Sequence, residues 1–274
     1  MIAHWDEVAA DQDLGQAAGA IDVSVRRLQL AAGEEAAPYI RDTEEVVYVV
    51  FGSGWSGDQP IRMEDCVVRR VPHDVETLRA GDQGLTVVVF ATPAQPPPFH
   101  SGEPEPTQIL NLDAAEPSYE GEAGKWVRFA RQAGAVHAGV NYGHLEPGHE
   151  GAPPHCHSAD EELFVILEGG GTLELWPSPA VAEESPREEH EIQAGHVISR
   201  PPSTAISHFL RAGQAGMTFL VYGTRRPNDV CYYPRSNKIY WRGLGLIARL
   251  EPLDTTTVSP RTDASPGESS RARS

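Results

Sequence analysis

Lysine is almost missing from this chain: only Lys125 and Lys238 occur among 274 residues. The 22 basic residues, mostly arginine, face 39 acidic ones, for a formal net charge of −17. A surface that negative repels phosphate, and no basic run interrupts it, so neither nucleic acid nor an anionic membrane is an expected partner. No apolar run approaches the roughly 18 residues of a membrane span. Met1 to Ala10 holds Asp6 and Glu7 and lacks the basic-then-apolar pattern of a secretory signal. Cysteine is scarce too. Three residues (Cys66, Cys156, Cys231) leave one unpaired in any disulfide scheme, and a chain of this size needs no staples. These absences predict a soluble, cytoplasmic protein.

The 26 glycines and 23 prolines suit short strands joined by many turns. Ile21 to Leu30 ("IDVSVRRLQL") alternates as a half-buried strand does, and His137 to Leu145 alternates more weakly. "VVYVVF", "LFVILE", "GLTVVVF" and "GMTFLVY" are short β-branched or aromatic runs. Strands at this spacing predict an all-β sandwich or barrel. The helical exceptions are "WDEVAADQDLGQAAG" near the start and a turn around Pro179 to Glu184.

The two halves repeat each other. "TEEVVYVVFGSG" (Thr43 to Gly54) matches "DEELFVILEGGG" (Asp160 to Gly171), and "TLRAGDQGLTVVVFAT" (Thr77 to Thr92) matches "FLRAGQAGMTFLVYGT" (Phe209 to Thr224). Upstream, "QAAGAIDV" parallels "RQAGAVHA". A duplicated domain follows. The expected organisation is an N-terminal domain over 1–96, a Pro-rich linker over 97–106, a C-terminal domain over 107–253, and a disordered Ser/Thr/Pro/Arg tail over 254–274.

Histidines are uneven: three precede residue 126 and eight lie within 126–252. His155 and His157 flank Cys156. Residues i and i+2 of a strand face one side, so both imidazoles point into one cavity while Cys156 points away. Glu162 opens the next strand, and His208 precedes a later one. Three imidazoles and a carboxylate form a nitrogen/oxygen set suited to one divalent transition metal: Fe, Mn, Ni, Co or Zn. Thiolate chemistry of the zinc-finger kind is disfavoured.

These residues carry a family resemblance. "HCHSADEELFVILEGG" resembles the first cupin motif, with Glu162 and Gly169 in register, and "GHVISRPPSTAISH" resembles the second, with Gly195, Pro201 and His208. The whole chain is similar to actinobacterial-type bicupins of the cupin superfamily, through "LRAG", "NDVCYYPRSNK" and "RGLGLIARLEPLD". The resemblance implies two tandem cupin (jelly-roll) barrels of conserved type, each of six to eight antiparallel strands, with the metal near the mouth of the C-terminal barrel. Ser203 and Ala205 stand where the second motif has glycines, so a looser turn before His208 is expected. Adjacent Glu161 competes with Glu162 as ligand, but strand alternation turns it away.

The first half has lost the set. It reads "PYIRDTEEVV" where His-x-His would stand, keeps Glu45 opposite Glu162, and places Glu76 opposite His208. No metal is expected there. Arg41 with Glu45 or Glu76 is a candidate buried ion pair, and the domain is expected to serve as a packing and dimerisation partner.

Phe164, Ile166 and Tyr142 are expected to line a mainly apolar cavity, and His144 is a candidate to face it behind the ligands or to shuttle protons. His149, His190 and His196 read as loop or edge residues. The aromatic segment "CYYPRSNKIYWRG" (Cys231 to Gly243) is expected to cover the outer barrel or the domain interface; the alternative is that it caps a pocket with Arg235 for an acidic substrate. The family implies a metal-dependent enzyme on a small-molecule substrate, foremost an oxygenase-type oxidoreductase such as a dioxygenase. The alternatives are a non-redox isomerase or lyase, and a non-catalytic small-molecule or sugar-binding protein. Monomer and homodimer are both expected states.

Overall fold

The computed structural model describes residues 1–9, 12–37, 43–70, 77–93, 108–179 and 181–251. The expected linker 97–106 and tail 254–274 lie outside the described residues, as do Pro38 to Arg41 and Glu76. Strands dominate. A seven-stranded antiparallel sheet is built on the central run 24–30, 78–93, 43–56, 65–69 and 108–111. An eight-stranded sheet runs 2–4, 196–200, 162–177, 206–224, 138–145, 124–127 and 119–121, with 188–193 paired to 162–177. A third, four-stranded sheet joins 156–157, 230–233, 238–241 and 246–249.

The helical expectation for the N-terminal segment shrinks to one turn, Leu14–Ala17, capped by the Asp13 side chain and followed by Gly19 at φ 83°. Asp13 and a left-handed glycine bracket too few residues for more. Among the described residues the other α-helix is Phe129–Gln132. Among the described residues no helix is long and apolar enough to cross a membrane.

The repeat is visible in the register. Thr43–Ser56 against Leu78–Pro93 slips between Val49 and Phe51 and again between Gly52 and Gly54. Glu162–Pro177 against Ile206–Thr224 slips at the matching places, between Ile166 and Glu168 and between Gly169 and Gly171. Such bulges bend one long strand around a barrel wall. Gly169 sits at φ 68°, and a Cβ there would meet the Gly216 carbonyl oxygen at 2.2 Å, so only glycine fits the bend.

Each half completes the other. Ile2–His4 pairs with His196–Arg200 in the second sheet, and Gln108–Asn111 pairs with Asp65–Arg69 in the first. Between the sheets one apolar cluster draws on both halves: Val46, Tyr48, Val88 and Phe90 meet Leu163, Val165, Leu220 and Tyr222. Phe90 and Tyr222 occupy the same place in the repeat and stack on one another, centroids 4.8 Å apart at 5°.

Two buried glutamates fasten this interface. Glu44 accepts hydrogen bonds from Val136 N (2.7 Å), His137 N (2.9 Å) and Ala138 N (2.8 Å). Glu161, its counterpart, accepts from Ile21 N (2.8 Å), Asp22 N (2.7 Å) and Val23 N (3.0 Å). Both carboxylates are fully buried, and each grips the same motif position in the opposite half. Alternation does turn Glu161 away from Glu162, and the space it turns into is the domain interface.

Candidate metal centre

The second barrel carries its polar cluster at one end of an apolar interior. Phe164, Ile166, Ile198, Leu210, Met217 and Phe219 fill that interior. His155 forms an isolated bridge with His208, so two distant segments are locked backbone to backbone: His155 N donates to the His208 carbonyl (3.2 Å) and His208 N to the His155 carbonyl (2.9 Å). Cys156–His157 is zipped to Val230–Tyr233. Glu162 begins a strand paired on both edges, to Arg200 and to Gly223. Four side chains from three separate segments are thus set by backbone pairing rather than by loops.

Their donor atoms converge. Glu162 Oε2 lies 2.9 Å from His208 Nε2, 3.3 Å from His155 Nε2 and 3.5 Å from His157 Nε2. Donors about 2.1 Å from one cation stand roughly 3.0–3.4 Å apart at octahedral to tetrahedral angles. The spacing of His155, Glu162 and His208, whose ligand atoms all lie within 4.8 Å of one another, therefore suits a shared divalent ion, while His157 meets them through Glu162 and also groups with His155 and Cys231 and with Asp160 and Asp229. The chemistry fits as well: His157 Nε2 is buried with no hydrogen-bond partner. Burial holds the neutral His208 imidazole down at about 3, and its Nε2–H faces Glu162, whereas burial of His157 is outweighed by Glu162 and Asp229, which hold it well above the usual imidazole range; a cation would take the place of these protons. Burial alone would raise the Glu162 carboxyl, but His157 and His155 outweigh it and hold Glu162 well below the usual carboxylate range.

Behind the ligands, the far ring nitrogens are fixed. His155 Nδ1 lies 2.8 Å from the Pro153 carbonyl oxygen, which accepts its proton. His157 Nδ1 lies 2.8 Å from Asp229 Oδ2. Asp229 is fully buried, and its other oxygen accepts from Ala159 N (3.0 Å) and Asp160 N (3.1 Å). Burial opposes ionisation of Asp229, but His157 and these amides hold its carboxyl at about 2. A carboxylate that receives Nδ1–H leaves Nε2 as the ligating atom. Sequence reasoning missed Asp229. Its only signal was its place just before the strand that pairs with His157.

The other expected positions divide. Phe164 borders the centre, its ring edge-on to His208 at 5.4 Å. Ile166 points inward too but sits one layer deeper, wholly buried in the apolar interior. Tyr142 packs against the interdomain core instead of the cavity. His144 sits on the same side of its strand as Tyr142, where Nδ1 meets Thr218 Oγ1 at 3.0 Å and Nε2 approaches Glu146 at 3.7 Å. Alternation fixed which face each residue takes, but not which layer or which side of the barrel wall that face meets.

A cavity of about 410 Å³ opens beside His155, His157 and Glu162. It is not mainly apolar, as expected, because four arginines (Arg128, Arg131, Arg225 and Arg242) line it. The aromatic segment also departs from its expected role on the outer barrel. Its first strand pairs with the strand bearing His157, so Tyr233 stacks on His155 (5.7 Å, 28°), and Tyr240 and Arg242 reach the cavity. Arg235 lies elsewhere, paired with Glu150 at 2.5 Å. Cys231 brings a buried thiol close to the His155 and His157 nitrogens.

The turn before His208 answers the missing glycines. Ser203 and Ala205 adopt φ 59° and 56°, the left-handed backbone that glycine prefers. Ser203 N donates to the His157 carbonyl (2.9 Å) and its hydroxyl to the Ser158 carbonyl (2.6 Å), so the turn keeps its glycine-like shape and braces a ligand.

In the first barrel, Glu45 meets Arg69 at 3.4 Å, and Arg69 also donates to Ser56 Oγ at 2.7 Å. All three are buried. Glu45 thus pairs with Arg69 at this place, and the expected pairing of Arg41 with Glu45 or Glu76 falls on residues outside the described ones. Among the described residues, the clusters of three metal-competent side chains all fall in the second barrel.

Two antiparallel barrels with a His-x-His/Glu/His cluster at one mouth define a tandem cupin fold with a candidate metal centre. Solved structures carry the same fold. An IolB-like protein from Salmonella typhimurium LT2 superposes with a TM-score of 0.63 at 16% identity, covering 83% of this chain and 93% of that one. Oxalate decarboxylase from Bacillus subtilis gives 0.61 at 13% identity over 83% of this chain and 78% of the other. A formate complex of oxalate decarboxylase from Lactobacillus farciminis gives 0.57 at 14% identity, over 82% and 80%. No protein-family model and no curated protein sequence matches the chain.

Proposed function

We propose that this protein is a metal-dependent cupin enzyme that transforms a small organic substrate at one divalent ion held by His155, His157, Glu162 and His208. The observation that carries this reading is the meeting of three imidazole nitrogens within 3.5 Å of one carboxylate oxygen, with the His157 Nε2 buried and unpartnered. A divalent transition metal supplies Lewis acidity there and, if redox-active, electrons for reaction with dioxygen. An ion held by these four residues would have room for substrate beside it, which an oxygenase-type reaction needs. The chain's own residues orient and shield: Asp229 fixes the His157 tautomer, and Phe164 and Tyr233 pack on ligand rings and keep bulk water from them.

A non-redox lyase reading has its own support, since proteins of this fold include oxalate decarboxylases. Elemental analysis of protein purified without added metal tests the common part. About one equivalent per chain is expected, and His157→Ala should lose most of it. Oxygen uptake with substrate separates the two chemistries. Turnover in strict anaerobiosis, or a purely zinc-bound active form, removes the oxygenase reading.

A further inference from the structure

We infer that the substrate bears a carboxylate, separate from the group that meets the metal ligands, and that Arg128, Arg131 and Arg225 bind it. This inference rests on the proposed reading of the centre and adds the substrate class.

The three arginines line the same cavity as His155, His157 and Glu162. Arg128 immediately precedes the short helix Phe129–Gln132 and Arg131 lies within it, so the two are three residues apart and share a face. Arg225 follows the strand Ile206–Thr224 that passes beside Glu162. The fourth arginine is different. Arg242 is neutralised by a close pair with Asp160 and a contact to Asp229 at 3.6 Å. Arg226, next in sequence, is likewise paired, with Asp22. Among the described residues no carboxylate lies within ion-pair distance of Arg128, Arg131 or Arg225.

What sets these three apart is their place around one cavity beside the centre. Arg225 is half-buried and Arg128 and Arg131 are exposed at the rim, so the cavity carries positive charge with no ion pair among the described residues to offset it. Burial depresses the Arg225 guanidinium and nearby Arg131 and Arg242 depress it further, while Glu44 and Asp160 partly offset them. An incoming carboxylate offsets that charge, and the planar fork of arginine receives its two oxygens together. The walls leave it room. Gly139 and Gly223 face each other across the sheet and both line the cavity, so no side chain fills the space between Glu162 and the arginines. Asn141 and Tyr240 add neutral polar groups for the rest of the ligand.

The test is calorimetric titration of α,ω-dicarboxylates of two to six carbons, each beside its uncharged diamide, into wild-type protein, Arg131→Gln, Arg225→Gln and the charge-reversed Arg131→Glu. Each titration is run with and without one equivalent of zinc, and inorganic phosphate is a separate arm. The best dicarboxylate should bind the wild type at least about tenfold more tightly than its diamide. Each glutamine variant should lose about tenfold for the dicarboxylate and little for the diamide, with zinc content and melting temperature unchanged. Arg131→Glu should lose more than Arg131→Gln. Equal affinity for diacid and diamide, no binding of any member, or arginine variants that keep the preference overturns the proposal. Phosphate binding more tightly than every dicarboxylate overturns the carboxylate assignment. Failure of the metal reading shows separately, as absent zinc uptake, while the wild-type-to-variant ratio is still measured in the metal-free arm.

Discussion

Glu161 and Glu162 are neighbours in sequence with opposite duties, and replacing each by alanine should separate fold from function. Glu161 is wholly buried and accepts three backbone N–H bonds from residues 21–23, which belong to the other half of the molecule. Its removal strands three donors, of which Val23 N is buried and the other two are partly reached by water. A stranded buried donor costs about 1–3 kcal/mol, so Glu161→Ala should lose about 3 kcal/mol in all. For a chain of this length that is a fall of about 6–12 °C in melting temperature. Metal content per folded chain should stay near the wild-type value, because Glu161 touches none of the ligand atoms. Glu162→Ala should do the reverse. The metal-free variant should melt within about 1 kcal/mol of the metal-free parent, while metal affinity falls at least about 100-fold. Differential scanning calorimetry on chelator-treated protein reads the first quantity, and competition with a chromophoric chelator reads the second. If Glu161→Ala lost its metal at an unchanged melting temperature, or Glu162→Ala kept its metal, the division of labour drawn here would be wrong.

Other consequences are as direct. Asp229→Asn should keep the fold but weaken metal binding by about 10–100-fold, since an amide no longer fixes the His157 tautomer as a carboxylate does; an unchanged affinity in the chelator competition would contradict this. Ala205→Gly should raise stability by up to about 1 kcal/mol, because φ 56° strains alanine more than glycine; a lower melting temperature would count against the strain. Burial, and then Asp65, push the Cys66 thiol well above its ordinary value, so alkylation of native protein followed by peptide mapping should find Cys66 unmodified until denaturant is added.

Much of this was legible in the sequence for identifiable reasons. The duplication survives as matched strings, and the period-two pattern of His155 and His157 needs only strand geometry to aim both rings together. The six-residue interval from Glu162 to Gly169 marks a bulge where only glycine fits, and the structure shows it. What could not be read is what depends on non-local pairing. Asp229, Tyr233 and Arg242 come to the centre because Val230–Tyr233 pairs with Cys156–His157, some seventy residues away and without any repeat partner in the first half. Arg128 and Arg131 are local neighbours at one short helix, but only the closed barrel brings Arg225 to the same cavity. The exchange of Ile2–His4 and Gln108–Asn111 between sheets leaves no periodic trace, since each segment is a short strand wherever it pairs.

The account depends on one cation seated in the second barrel. Anomalous diffraction from crystals of protein purified without added metal, recorded at the absorption edge of whichever element is present, locates it directly. A single peak within bonding distance of His155 Nε2, His157 Nε2, Glu162 Oε2 and His208 Nε2, with none beside Glu45 and Arg69, is the predicted result. A featureless map at those four atoms, or a peak held by other side chains, would contradict it.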